Sequence, residues 1–296
     1  MMGFFMVLVL VDNNTLTAFA TVLLALIGII QILVLIGQLY LLRSQKRNQD
    51  IEVLEVYRKR WFDYQGKFGC LVYLGRNLGE YYQTLDAEEI TKLNSNLLSL
   101  RVEKPTIWAR DAVRDVSALM SDICIRILQG SLTIQSVYPI LGTAILRHSR
   151  PLRILLESDY FYDFERDDVT INKNLLYWHK RVRGEIQDWF VYHIGTRRRC
   201  LILIDLLWAE AARLQDLPPD DLKTAADAKI NSAKKNRLRI EQEYFLLNSS
   251  TSYLKAKRLA NYLKHSEYKK YFWSKGLSKK KLERLDKEWA KNFSKL

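Results

Sequence analysis

Lysine and arginine are absent from the first 42 residues, where Asp12 is the only charged side chain. Glycine (12) and proline (5) are scarce across the 296 residues, which argues against a turn-rich β architecture and suits long helices. The three cysteines, Cys70, Cys124 and Cys200, lie at spacings that match neither a metal site nor a redox motif. Their odd number fits free thiols in a reducing compartment. The sequence also lacks a Gly-rich phosphate loop, a nucleophile elbow and a Cys–His pairing. No cofactor is expected. Fixed-period repeats and low-complexity tracts are missing too.

What is present is a globular composition, 48% hydrophobic, enough to bury one large core or two small ones. The net charge of +13 is unevenly placed. Residues 251–296 hold 14 Lys and Arg against four acids, a net +10, whereas 43–250 carry only +4. Any argument about an anionic partner therefore concerns the C-terminal tail.

Residues 16–42 form a run of 27 without a charge, about 40 Å of helix at 1.5 Å per residue. A bilayer core needs roughly 20 such residues, so the run predicts a transmembrane helix with some tilt. A secretory signal is disfavoured, because no basic residue precedes the run and it is too long. Arg43, Lys46 and Arg47 follow at once, so the positive-inside rule puts the N-terminus outside and residues 43–296 in the cytoplasm. The inner (plasma) membrane is the expected location. The apolar residues 1–11 are too short to span; they rest on the outer interface, or the chain starts at Met6.

The span has a polar seam. At 100° per residue Thr17, Thr21, Leu24, Gly28, Gln31, Leu35 and Gln38 share one face. Glutamine amides are costly in lipid unless bonded, and neighbouring helices usually bond them. Association through Thr21, Gly28, Gln31 and Gln38 is one expectation; two tolerated glutamines near a helix end are the other.

Beyond the span the periodicity is helical. Leu54, Tyr57, Trp61, Tyr64, Phe68 and Leu71 alternate steps of three and four, a core stripe that Gly66 and Gly69 make unsuitable for a coiled coil. Asp86 with Glu89 opens a capping box, ahead of Ile90, Leu93, Leu97 and Leu100 on one face. A helix after Pro105 turns Trp108, Val116, Leu119, Ile123 and Ile127 inward and stops at Gly130. Residues 131–149 read as one further helix and Pro151 starts a short one. A longer helix covers 171–193, bearing Leu175, Trp178, Val182, Ile186, Trp189 and Phe190. Residues 200–212, apolar almost all round, are a buried core helix in preference to a strand. A last helix runs from Pro218 to Asn248. The expected fold is all-α: an N-terminal transmembrane helix and then a multi-helix cytosolic domain. The divisions are 1–15 extracytoplasmic, 16–42 transmembrane, 43–250 cytosolic and 251–296 tail.

Three sets of residues carry candidate chemistry. In the tail, Lys269 and Lys270 lie among aromatics, and Lys279, Lys280, Lys281 and Arg284 flank an amphipathic stripe containing Trp289. Cations neutralise phosphates while aromatics sit at a headgroup boundary or stack on bases. Anionic lipid leads over nucleic acid because the chain is already tethered; a core-packed terminal helix with a solvated lysine face gives the same pattern. Asp111, Asp115 and Asp122 share a helix face with the spacing by which helices offer carboxylates to a cation. Ala118 leaves that row incomplete, and Arg110 and Arg114 offer ordinary ion pairs instead. His179, Glu185 and His193 do not share a face as a zinc triad requires.

Arg258 and His265 resemble the Arg–x(4–6)–His signature of the helical HEPN ribonucleases, with Leu259 in place of the usual polar residue after the arginine. That resemblance implies a dimer in which Arg258 and His265 flank a scissile phosphate. The anchor, its basic stop and the stretch Asp122-Ile-Cys-Ile-Arg-Ile-Leu-Gln-Gly-Ser-Leu-Thr-Ile are similar to those of uncharacterised bacterial single-pass membrane proteins with a helical cytosolic domain. No activity follows from that similarity. A binding role is expected ahead of catalysis: a membrane-anchored scaffold or adaptor, oligomeric, with a protein partner and a lipid-contacting tail. The alternative is a membrane-tethered nucleic-acid binder, in its enzymatic form a HEPN-like ribonuclease.

Overall fold

The computed structural model describes residues 13–80, 82, 84–99, 107–157, 172–214 and 238–246, with single positions at 259, 283, 284 and 287. Among the described residues all regular structure is helical. Contacts divide the chain into two units, Met1–Val53 and Leu54–Leu296.

The described part of the first unit is the N-terminal part of α1 (Asn13–Asp63). Among the described residues α1 is the one helix long and apolar enough to cross a membrane, and none of its most apolar stretch is buried. Its run of Leu, Ile and Val has no Pro and no charge until Arg43, so nothing in the sequence interrupts the i→i+4 ladder.

The second unit begins with the last turns of α1. The expected stripe is seen: Leu54, Tyr57, Trp61, Phe68 and Leu71 are buried and Tyr64 half-buried. The helix breaks at Tyr64, between α1 and α2 (Gln65–Gly75), and the Trp61 and Phe68 rings meet across the break at 4.7 Å. Asp86 caps α3 (Ala87–Leu98) by accepting the Glu89 N–H at 2.7 Å. In α3 Leu97 is buried, while Ile90 and Leu93 are half-buried.

Helix α4 (Ile107–Gln129) packs along α9 (Ile194–Leu214), and α2 also lies against α4. Val116, Leu119, Ile123 and Ile127 point inward as their spacing predicts. Gly130 ends α4 with φ +78°, and Ser131 N–H reaches back to the Arg126 carbonyl at 3.0 Å.

Residues 131–149 are not the single regular helix expected. Thr133 caps a short α5 (Ile134–Val137), a π turn covers Tyr138–Gly142, and α6 is Thr143–Arg147. Pro139 supplies the reason: it has no N–H for the α ladder, and the chain widens around it. Helix α7 (Ser149–Leu156) follows, with Pro151 in its first turn. Asn172 caps α8 (Lys173–Tyr192), which buries Val182, Ile186 and Phe190.

In α9 the residues Cys200–Leu207 are all buried, so the run that could pass for a strand is a core helix. Of the expected 218–248 helix, residues 238–246 are described and helical; they bury Ile240 and Tyr244. Between α7 and α8 the sequence places acidic loop residues, Asp159, Asp163, Glu165, Asp167 and Asp168, which lie outside the described residues.

The end of α2 lies close against the start of α7. A Cβ on Gly75 would lie 2.1 Å from the Pro151 carbonyl oxygen, whereas one on Gly184, in mid-α8, would meet nothing within 4 Å. Gly75→Ala is therefore expected to lower stability by about 3 kcal/mol or more. Gly184→Ala is expected to raise it by about 1 kcal/mol. Chemical denaturation of the two variants checks the contrast, and equal effects would mean that α7 yields to the extra methyl.

Candidate functional site

On α1, Gln31 and Gln38 are exposed and Gly28 half-exposed, with nothing within 4 Å of where a Cβ would stand. Thr21 is different: its hydroxyl donates to the Thr17 carbonyl at 2.8 Å, a bond the helix supplies to itself. The two glutamines of the seam are exposed on the helix surface.

The carboxylates of α4 are engaged one by one. Lys67 of α2 donates to Asp115, and Arg114 donates to it at 3.1 Å. The Lys67 bond, with that of Arg114, holds the Asp115 carboxyl below its usual range. Asp111 pairs with Arg114 at 3.3 Å. Asp122 accepts the Tyr57 hydroxyl at 2.5 Å, and burial followed by that bond pushes the phenol up to about 12. The Arg126 guanidinium lies over the same ring, 5.7 Å from its centre. Each acid thus has a protein partner, and among the described residues no group of three or more His, Cys, Asp or Glu could hold a metal ion.

A network invisible in the periodicity closes the C-terminus of α2, where the last carbonyls lack helical donors. The His179 Nε2 is 2.9 Å from the Tyr73 carbonyl, and Arg183 Nε donates to the Leu74 carbonyl at 2.7 Å. A second Arg183 nitrogen donates to the Arg76 carbonyl at 2.5 Å and lies 3.4 Å from His179 Nδ1. A carbonyl only accepts, so Nε2 carries the imidazole proton and Nδ1 accepts from the guanidinium. That arrangement needs a neutral ring. Burial first, and then the charge of Arg183, lowers the His179 pKa to about 3. His179 and Arg183 are four residues apart on the buried face of α8.

A second network ties residues 238–246 to α9. Glu243, fully buried, accepts from Arg198 Nε at 2.6 Å and from Arg199 Nε at 2.8 Å. Arg153 pairs with Asp205 of α9, and Arg239 pairs with Glu157 at 2.7 Å and faces Asp205 at 4.0 Å. Buried carboxylates held this way lock helices together, since leaving either charge alone would be costly. The signal that could have found both networks is a charged residue interrupting an apolar face, as Arg183 does in α8 and Asp205 in α9.

Of the residues whose spacing argues against a zinc triad, His193 is exposed and stacks on Trp189 at 3.9 Å, and Glu185 pairs with Arg181. Arg284 is helical and exposed. Arg258, His265, Lys269, Lys270, Lys279, Lys280, Lys281 and Trp289 lie outside the described residues. Comparison with family models, with curated proteins and with solved structures finds no match.

Two predictions follow from the networks. The unfolded chain binds a proton at His179 near pH 6.5 that the fold excludes until about pH 3. The contribution of this residue is therefore complete above 6.5 and is lost as pH falls toward 3, by about 1.4 kcal/mol per pH unit. His148, buried with Nδ1 2.8 Å from the Ala144 carbonyl, shifts the same way. His179→Gln keeps a donor for Tyr73 and removes the titration, so it is expected to flatten the fall in melting temperature between pH 7 and 5.5. An unchanged slope would locate the titration elsewhere. Glu243→Ala removes the carboxylate that Arg198 and Arg199 share, leaving them only the neutral acceptors Gln242 and Ser121, and is expected to cost about 3 kcal/mol in a denaturation experiment.

Proposed function

We propose that the chain is a bitopic protein of the inner (plasma) membrane, with residues 43–296 in the cytoplasm serving as a helical interaction scaffold. The observation that carries this reading is the apolar surface of α1: Leu24, Leu33 and Leu41 are each more than 60% exposed, in a run of 27 uncharged residues. Water does not tolerate an apolar surface of that extent, and a bilayer is the medium that matches its length and uniformity. The basic stop at Arg43 sets the orientation.

Support for a binding role comes from the second unit. Its buried ionic groups hold helices together, while Val191, Tyr192 and Ile194, where α8 meets α9, expose apolar side chains to a protein partner. Copies associate through the span, and the lysines of the tail contact anionic headgroups.

The test is extraction and topology mapping of the full-length chain. It is expected to stay with carbonate-washed membranes, to leave them in detergent, and to be labelled by impermeant reagents from outside only N-terminal to residue 16. Release by carbonate would end the anchored reading. Acylation of Lys279, Lys280 and Lys281 is expected to slow in nanodiscs containing anionic lipid and to recover at high salt. If instead the membrane-purified chain carried nuclease-sensitive nucleic acid, lost with residues 251–296, the alternative built on Arg258 and His265 would take precedence.

A further inference from the structure

On the reading of α1 as a membrane span, we infer that the glutamine face is covered by a second copy of this chain, parallel and in register. The helix runs from Asn13 to Asp63 as one α-helical element, so residues at alternating steps of three and four keep one face. Beyond Gln38 the next steps on that face reach Leu42 and Gln45. Gln31, Gln38 and Gln45 therefore recur every seven residues, and all three are exposed.

A primary amide both donates and accepts, so it is its own complement. Copies inserted by the same charge rule lie parallel in the membrane. Across a two-fold axis along the helices, Gln31 then meets Gln31 and Gln38 meets Gln38. Only the unshifted register sets all three amides level with themselves. A helix from another protein would need polar groups at the same depths; a second copy has them by construction.

The remaining geometry agrees. A seven-residue repeat drifts about 20° per heptad on a straight helix, and a left-handed crossing of two helices takes up that drift. Gly28, with open space where a Cβ would stand, permits close approach between Thr21 and the Gln31 layer. Arg43 lies about 120° around the helix from Gln31, so pairing does not press the two guanidinium groups together.

The experiment is disulfide mapping of the full-length chain in native membranes, using single added cysteines. Leu24→Cys, Leu35→Cys and Leu42→Cys sample the glutamine face; Leu26→Cys, Leu33→Cys and Tyr40→Cys sample the opposite one. The resident cysteines are buried and do not compete. Covalent dimers are expected at the first three positions and not at the second three. Gln31→Leu with Gln38→Leu is expected to weaken association about tenfold, measured by energy transfer between labelled copies, while the conservative Asn pair keeps most of it.

Carbonate extraction of each variant separates the two ways to fail. Retained chains that crosslink equally on both faces, do not crosslink, or crosslink to another protein's helix would overturn the self-pairing inference and leave the anchor intact. Chains released by carbonate would remove both.

Discussion

The middle of helix α9, Cys200–Leu207, is buried on all sides, and most of the second unit can be understood from that one constraint. A helix buried on all sides must answer every polar group it carries, since an unpaired charge in such a place costs several kcal/mol. Asp205 is answered by Arg153 and faced by Arg239. Arg198 and Arg199, at the helix's basic opening, are answered by Glu243. The helices around α9 are thus fixed twice, by apolar packing against Leu203 and Ile204 and by ions that have no other acceptable position. Apolar contact alone tolerates sliding; paired charges specify which turn meets which.

The same economy appears where helices stop. The end of α2 lies against α7 so closely that only glycine fits at position 75. A helix terminus held there cannot rely on water for its last carbonyls. Arg183 and His179 from α8 take that role, with the imidazole kept neutral and the guanidinium charged at the negative end of the helix dipole. The first unit faces the opposite problem. The backbone of its apolar stretch is satisfied within the helix, but among the described residues none of that stretch is buried, and its burial depends on the medium.

Much of the second unit was legible because its signals are local. Asp86 and Gly130 mark helix ends through their own backbone and side-chain chemistry, and both do so in the structure. The stripes on α4 and α8 follow from a period of 3.6 and point inward as read. The segment 131–149 departs from one regular helix for a local reason that its hydrophobic spacing hides: Pro139 sits inside an apolar run that remains helical only by changing its ladder. Asp111, Asp115 and Asp122 share a face as their spacing says. Arg114, a neighbour on the same helix, pairs with Asp111 and Asp115, but Lys67 and Tyr57 come from positions 48 and 65 residues away, which no spacing rule reaches.

The sequence by itself determined that the chain is helical, where several helices begin and end, and that residues 16–42 lack any charge. Each of these depends on neighbours within a few positions, through propensity, capping and the energy of transferring side chains from water. Only the tertiary structure decided which polar side chains are buried and with whom: Arg183 on the end of α2, Glu243 under two arginines, and Tyr57 on Asp122. Pairing of that kind is set by distance in space after the helices pack, and residues far apart in the chain carry no mark of it beforehand.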